Sequence, residues 1–246
     1  MDRRNFLGLL AISPFISSKL FAEDIDIFTT KEEWKNLLEV RKKLAFVKDY
    51  VGYGKFNIIS FDEAITLLNK NPKINSFSKE ELDFMDKLFY DDPSKYGFYG
   101  EKTTDKITQV ILEKDVEKVP FTGHYLFKGK SLNDYNQIVK DVGKDIILTS
   151  GIRSVPKQMS LYIEKIYRLQ GNISQASRII APPAYTHHAI NDFDVGKKGF
   201  GNKNFSTLFT TTDEFKSLIK LNYVDIRYTV NNKDGVIYEP WHIKVS

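Results

Sequence analysis

The strongest constraint on the fold is a change of sequence pattern near residue 145. Before that point, a Ser or Thr is followed three residues later by Glu at three places, and apolar residues at helical spacing come after each of them. Such pairs begin helices because each side chain bonds to the backbone N–H of the other residue. The sequence therefore predicts that residues 23–144 are mainly helical. The three pairs are Thr30 with Glu33, Ser60 with Glu63 and Ser78 with Glu81.

From residue 145 the pattern predicts strands as well as helices. A short apolar run is typical of a buried strand, and a later segment alternates apolar and polar residues before an Asn- and Gly-containing turn. The mixture predicts an α+β fold for residues 145–246, with a small antiparallel sheet and flanking helices. The predicted strands lie at 145–149, at 223–230 and from Val236, and the predicted helices at 157–170 and 211–220. A further helix is predicted just before this stretch, at 133–142.

The pattern of residues 1–22 predicts a secretory signal peptide. Arg3 and Arg4 precede a short apolar run, and the small residue Ala22 stands before an acidic pair. The run is too short and too interrupted for a stable membrane span. Its first residues also resemble a twin-arginine export signal, and an uncleaved N-terminal anchor is the alternative. We expect export to the periplasm, with membrane contact only during export.

Composition excludes several kinds of site. The chain has no cysteine, which excludes disulfides, thiolate metal sites and a cysteine nucleophile. A metal would have to bind to carboxylates and to some of the four histidines. Loss of residues 1–22 removes three basic residues and one acidic residue, so the formal charge of +4 falls by two. A nearly balanced protein of this kind gives no indication of nucleic-acid binding.

Three of the four histidines lie in two short segments of the C-terminal part. His187 and His188 precede Asp194, and His242 follows Glu239 and Pro240. Two histidines and a carboxylate are a known ligand set for catalytic zinc, and a further carboxylate is needed to accept a proton. Because Pro240 cannot join a central strand ladder, we predict a bend there that turns Glu239 and His242 to the same side.

These motifs, in this order, resemble the VanY-type D-alanyl-D-alanine carboxypeptidases over about residues 145–246. That family belongs to the LAS group of zinc peptidases, together with peptidoglycan endopeptidases and D-Ala-D-Ala dipeptidases. The N-terminal half shows no such resemblance. The motifs are Ser150-Gly151-Ile152-Arg153-Ser154 with Gln158, the segment from Pro182 to Asp194, and Glu239-Pro240-Trp241-His242.

The resemblance implies a role for each matching residue. A family spacing of seven residues between the ligand His and the ligand Asp selects His187 over His188, which we then expect to pack beside the site. Asp192 leaves a ligand set shifted by one residue as the alternative. The implied Zn²⁺ ligands are His187, Asp194 and His242, the implied catalytic residues are Glu239 as the base and Arg153, and the implied substrate-binding residues are Arg153, Gln158, Tyr185 and Ser150.

Two residues depart from the family pattern. Tyr185 stands where the family usually has Ser, and Ile190 stands where it usually has Gly. Both positions line the substrate cleft in the family, so the departures bear on which peptide is cut. Gln158 is expected to support Arg153.

The implied reaction is hydrolysis of a peptide bond in a peptidoglycan stem peptide, most simply by a D-alanyl-D-alanine carboxypeptidase that releases the terminal D-Ala. Two alternatives stay open. One is an endopeptidase that cuts cross-links between stems, for which residues 23–144 would extend the cleft. The other is a non-catalytic wall-binding module with the same fold. The sequence indicates no oligomeric state.

Overall fold

The computed structural model describes residues 26–245, so the predicted signal peptide lies outside the described residues. Within residues 26–245, no helix combines the length and the apolar character needed to cross a bilayer.

Four helices occupy most of residues 31–90, and the three predicted helix starts are confirmed. In each case the Ser or Thr side chain accepts a hydrogen bond from the backbone N–H of the Glu, and the Glu carboxylate accepts one in return. Such caps typically contribute about 1 kcal/mol each to the stability of a helix. The helices are α1 (Lys31–Val51), α2 (Tyr53–Phe56), α3 (Phe61–Lys70) and α4 (Lys79–Tyr90).

The remainder of the chain mixes strands and helices, which confirms the predicted α+β class. A short hairpin comes first, and a second, four-stranded sheet is interleaved with helices. The elements are β1 (Val116–Lys118), β2 (Tyr125–Phe127), α5 (Lys130–Val142), β3 (Ile146–Ser150), α6 (Val155–Arg168), α7 (Ile173–Ile179), β4 (Phe193–Lys197), α8 (Asp213–Leu218), β5 (Asp225–Ile226) and β6 (His242–Lys244).

The four-stranded sheet has the order β3-β4-β6-β5 and is antiparallel throughout. Its register places Ser150 opposite Asp194, and Asp194 opposite His242. Side chains of directly opposite residues lie close together on one face of a sheet. Three residues from the predicted site are therefore neighbours across three strands.

Two main hydrophobic cores hold the molecule together. One lies between the sheet and helices α5 and α8. The other joins α1, α3 and α4 to α6 and α7, so the N-terminal helices pack directly on helices that follow the predicted boundary at residues 144 and 145. That boundary stays a prediction. The shared core brings the N-terminal helices next to α6, which begins close to the predicted site.

Three local predictions need correction. The hairpin predicted from residue 223 is wrong because only Asp225–Ile226 forms a strand, and it pairs with β6. The segment after it bonds elsewhere: Tyr99 donates its N–H to the Asp234 carbonyl, and Ile237 donates to that of Arg178. Helix α8 begins after Thr212, not Thr211, and helix α7 was not predicted.

Candidate metal centre

Three buried side chains, those of His188, Asp194 and His242, converge beside the central strands of the sheet. One ligand atom from each lies within 4.8 Å of the other two. The register of β4 and β6 brings Asp194 and His242 together, and a 3₁₀ turn just before β4 supplies His188. Nε2 of His188 lies 3.3 Å from Oδ1 of Asp194, and Nδ1 of His242 lies 3.7 Å from the same oxygen. We call these three residues the metal-ligand group.

The protonation state of the His188 ring shows which kind of ion the metal-ligand group can bind. Its Nδ1 lies 2.8 Å from the Gly151 carbonyl oxygen, so Nδ1 carries the proton and donates it there. Burial, followed by the charge of Arg153, lowers the pKa of His188 to about 4, and the ring is therefore neutral at pH 7. Nε2 is then an unprotonated lone pair. A metal-binding histidine is commonly oriented in this way by a bond from its other ring nitrogen.

The ligand atoms lack the partners that buried polar atoms require. Neither Nε2 of His188 nor Oδ1 of Asp194 has a hydrogen-bond donor among residues 26–245. Both atoms are acceptors, so at 3.3 Å they repel each other unless a cation lies between them. Two imidazole nitrogens and one carboxylate oxygen are a ligand set that suits Zn²⁺. The residues present therefore fit a zinc ion.

The structure places His188, and not the predicted His187, in the metal-ligand group. In a 3₁₀ turn, successive side chains point about 120° apart, so only one of two adjacent histidines can face Asp194. The Gly151 carbonyl selects His188 by holding its ring. His187 is buried, with Nδ1 unbonded to any described residue. The spacing to Asp194 is thus six residues instead of the expected seven.

Asp192 anchors His242 and is not part of the metal-ligand group. Its Oδ2 lies 3.1 Å from His242 Nε2, and its carboxylate accepts bonds of 2.6 and 3.0 Å from Arg227 and one of 2.9 Å from the Val245 N–H. The contact turns Nδ1 of His242 toward Asp194, 3.7 Å from its Oδ1. Arg227 and this role of Asp192 were not predicted from the sequence. The alternation of Asp192 and Asp194, which puts both on one face at the start of a strand, was the available indication.

Carboxylates dominate the surroundings of His242. Burial works to lower the pKa of His242, but hydrogen bonds to Asp192 and Glu239, together with the charge of Asp194, raise it to about 9. The same negative field that retains a proton on the ring also attracts a metal cation.

Glu239 lies against His242, as the predicted bend requires. The His242 N–H donates to the Glu239 carbonyl in a turn that contains Pro240. This turn brings Glu239 Oε2 within 3.2 Å of His242 Nδ1. Burial raises the pKa of Glu239, which favours its acting as an acceptor of protons near neutral pH.

Arg153 connects the loop after β3 to the metal-ligand group. Its Nε donates to Ser150 Oγ at 2.9 Å, and its Nη2 donates to Asp194 Oδ2 at 2.7 Å. The backbone N–H of Arg153 also donates to the His188 carbonyl. Arg153 and Ser150 are therefore brought together with the metal-ligand group, as predicted.

Two other predicted substrate residues are not brought there. Gln158 is fully buried on α6, where its amide donates to the Ala181 carbonyl at 2.7 Å and makes no bond to Arg153. The ring of Tyr185 packs edge-on against Phe98, at 5.6 Å between centroids. Neither residue lines the cleft next to the metal-ligand group. Gln158 thus secures the segment around residue 181 instead of supporting Arg153.

The cleft has a volume of about 480 Å³ and draws its walls from both halves of the chain. Tyr53 of α2 comes from the helical N-terminal region, and Lys157 and Leu161 come from α6. Phe205 and Trp241, packed edge-on at 6.0 Å, line it on the sheet side. The cleft is large enough for a short peptide.

Comparison with known proteins gives a family for the C-terminal part. Residues 129–245 match the family model for VanY, D-alanyl-D-alanine carboxypeptidase. No curated protein sequence matches the chain significantly.

Three solved structures are similar to part of this chain. The LdcB LD-carboxypeptidase is 20% identical with a TM-score of 0.44, and 52% of this chain covers 62% of it. VanYB in complex with D-Alanine-D-Alanine is 24% identical with a TM-score of 0.42, and 53% of this chain covers 76% of it. The D,D-dipeptidase VanXYg, bound to a phosphinate analogue of D-Ala-D-Ala, is 17% identical with a TM-score of 0.40, and 52% of this chain covers 53% of it.

The chain thus spans less than two thirds of LdcB and of VanXYg. The motifs quoted from the sequence fall within the matched segment, which confirms the resemblance on which the sequence analysis relied. Residues 129–245 accordingly match the model of the VanY D-alanyl-D-alanine carboxypeptidase family, and this stretch is just under half of the chain.

Proposed function

We propose that the protein is a zinc-dependent peptidoglycan peptidase, and specifically a D-alanyl-D-alanine carboxypeptidase that removes the terminal D-Ala of stem peptides. The observation that carries the proposal is the pair of facing acceptors, His188 Nε2 and Asp194 Oδ1, with the Glu239 carboxylate against the third ligand. A cation site with an adjacent buried base is the arrangement that metal-assisted hydrolysis requires. The family match and the D-Ala-D-Ala ligand of VanYB support the substrate.

His188, Asp194 and His242 would hold the zinc ion. The ion would supply Lewis acidity, which polarises a carbonyl oxygen and lowers the pKa of water from 15.7 to about 7.

Glu239 moves the proton. Its carboxylate accepts a proton from the attacking water and later delivers it to the nitrogen of the departing D-Ala. Burial raises the pKa of Glu239 from its ordinary value, so the acid and carboxylate forms are closer in free energy at neutral pH. Such a positioned base typically contributes about 10²- to 10⁴-fold to the rate.

Arg153 stabilises the negative charge that develops on the carbonyl oxygen. A guanidinium has five N–H donors, and the bonds to Ser150 and Asp194 use two of them. The remaining donors can reach a ligand because Arg153 lines the cleft. Removing one such donor typically costs about 3 kcal/mol of transition-state stabilisation.

The peptidoglycan substrate agrees with the predicted export. We propose that residues 1–22 direct the protein to the periplasm, where stem peptides are its partners. The division into residues 1–22, 23–144 and 145–246 is part of the same proposal.

Digestion of purified muropeptides tests this function. We expect loss of one D-Ala from pentapeptide stems, detected as a mass change, and no such loss with the Glu239→Gln variant. Splitting of cross-linked dimers would replace the carboxypeptidase with the endopeptidase alternative. Unchanged muropeptides in the presence of zinc would contradict both peptidase assignments and favour the wall-binding module.

A further inference from the structure

Among residues 26–245, Lys157 is a buried cation without an acidic partner. Its side chain belongs to the first turn of α6, and the residue is only 8% exposed. Within residues 26–245 it forms neither an ion pair nor a side-chain hydrogen bond. Lys43, which is also buried, shows the usual arrangement: its ammonium bonds to the Glu81 carboxylate at 2.6 Å and to the Ser76 carbonyl at 2.9 Å. Lysines are rarely buried unless they are paired in this way.

Nearby positive charges raise the free-energy cost of burying the Lys157 ammonium. Burial, and then the charges of Arg153 and Lys48, lower the pKa of Lys157 to about 8, so that the group remains charged at pH 7. The first turn of a helix also carries a partial positive charge, which repels a cation. The chain thus places several positive charges together near one wall of the cleft.

Two aromatic rings compensate only part of this cost. The Lys157 ammonium lies 4.9 Å from the centroid of the Tyr53 ring and 5.9 Å from that of Phe56. Cation–π contacts of this kind supply about 0.5–2 kcal/mol. Desolvation of an ammonium costs several kcal/mol. The rings position the ammonium at the cleft, where an anion would balance its charge.

Tyr53 offers a second donor at the same place. Its hydroxyl oxygen lies 3.1 Å from His124 Nε2. Burial, followed by the charges of Lys157 and Arg153, lowers the pKa of His124 to about 4, so its ring carries one proton. Nδ1 of His124 is buried with no partner among residues 26–245. A buried N–H without an acceptor is rarer than a buried acceptor without a donor. Nδ1 is therefore the unprotonated nitrogen, and Nε2 carries the proton.

This proton assignment determines what the Tyr53 hydroxyl can do. His124 donates its Nε2–H to the hydroxyl oxygen, and the hydroxyl keeps its own hydrogen for another acceptor. Both Tyr53 and Lys157 line the cleft that contains the metal-ligand group. The two donors therefore face the same cleft as Arg153 and Glu239.

We propose that Lys157 and the Tyr53 hydroxyl form a subsite for a carboxylate of the bound peptide. We call this pair, with His124 behind it, the carboxylate subsite. The peptide nature of the ligand rests on the proposed function, whereas the anionic character rests on the unpaired donors alone. The carboxylate comes from the C-terminus of the peptide or from an acidic side chain. Tyr53 gives the N-terminal helical region a direct part in recognition.

Binding to the zinc-loaded full chain carrying Glu239→Gln, which stops turnover, tests the subsite. The probes are N-acetyl-L-Lys-D-Ala-D-Ala as the free acid and as the C-terminal amide, measured by calorimetry. The same pair with diaminopimelate in place of Lys tests a side-chain source. We expect either the C-terminal carboxylate or the diaminopimelate carboxylate to increase the binding affinity at least about tenfold. This is the factor for one charge-assisted hydrogen bond. This preference should disappear in Lys157→Met and persist in Lys157→Arg.

Three measurements separate recognition from a structural role. Lys157→Met should raise the melting temperature because it removes an unpaired buried charge. Tyr53→Phe should reduce the preference for the acid by about threefold or more, as expected for one lost hydrogen bond. Lys48→Met removes a nearby charge outside the cleft and should change the preference by less than about twofold.

The two proposals fail in different ways. Muropeptides that stay intact while the carboxylate preference is present would overturn the proposed function and leave the subsite standing. Equal binding of the acid and amide probes by the parent protein, with no gain in affinity from diaminopimelate over Lys, would overturn the subsite. A carboxylate preference that survives Lys157→Met would overturn it as well.

Discussion

The metal-ligand group and the carboxylate subsite lie in one cleft. Among the described residues, the first lacks hydrogen-bond donors and the second lacks an acceptor. In the metal-ligand group, His188 Nε2 and Asp194 Oδ1 are acceptors that face each other without a donor from the described part of the chain. In the carboxylate subsite, the ammonium of buried Lys157 and the hydroxyl of half-exposed Tyr53 line the cleft as donors without an acceptor among residues 26–245. Buried polar atoms are normally paired within the protein. The difference indicates a cation at the first place and an anion at the second.

The two regions also differ in how they are built. Pairing of three neighbouring strands positions Ser150, Asp194 and His242, so the sheet register fixes two of the three residues of the metal-ligand group. Contact between α2 and α6 positions Tyr53 and Lys157, and those helices lie on either side of the predicted domain boundary. Substitutions at the first place should change metal binding and catalysis, whereas those at the second should change peptide preference.

The largest effect is expected from Glu239→Gln. The amide cannot accept the proton of the attacking water, so kcat should fall about 10²- to 10⁴-fold. Zinc content, measured by elemental analysis, should stay at one ion per chain because Glu239 is not in the metal-ligand group. Glu117→Gln, an exposed change on β1, is the control. A rate close to that of the parent would show that another group is the base.

A smaller effect is expected from Asp192→Asn. This change weakens the bond that orients His242, and loss of such an orienting carboxylate typically lowers metal affinity by about 10- to 100-fold. Competition with a chromogenic chelator measures the affinity. Activity should return at saturating zinc, which a general loss of structure would not allow. Asp225→Asn, an exposed change on β5, should keep parental affinity. If both variants bind zinc equally, Asp192 has no orienting role.

The smallest effect is expected from Gly151→Ala, which strains the loop between the two regions. An added Cβ would lie 2.1 Å from the Tyr125 carbonyl oxygen, so the loop must move. Overpacking of this kind lowers the free energy of unfolding by about 1–3 kcal/mol. Denaturant unfolding measures this value. Gly54→Ala, whose added Cβ has only ordinary contacts of 3.6 Å, is the matched control. Equal stability of the two variants would contradict the tight packing at Gly151.

Features determined by nearby residues could be predicted from the sequence. The three helix starts depend on residues three apart, and the turn at Pro240 brings Glu239 to His242 within four residues. The choice of ligand histidine could not be predicted in this way. It depends on the Gly151 carbonyl, which is distant in sequence from His188, and on a turn one residue shorter than the family spacing implies.

Long-range contacts explain the other failures. The segment after β5 bonds to Tyr99 and Arg178 instead of forming the predicted hairpin. Gln158 faces the segment around Ala181 because of its position on α6. In the sequence, Lys157 looks the same as a solvent-exposed lysine of a helix. Only the packing of α2 against α6 shows that it is buried.

The identity of the ligand histidine is the most direct test of the account. Zinc affinity of His188→Ala and His187→Ala, measured by chelator competition, compares two identical changes at adjacent positions. We expect His188→Ala to bind zinc at least about 100-fold more weakly, since a ligand should matter more than an orienting residue. His187→Ala should stay within about threefold of the parent, as expected for a residue outside the ligand set. Loss of zinc from His187→Ala with retention by His188→Ala would contradict the metal-ligand group described here.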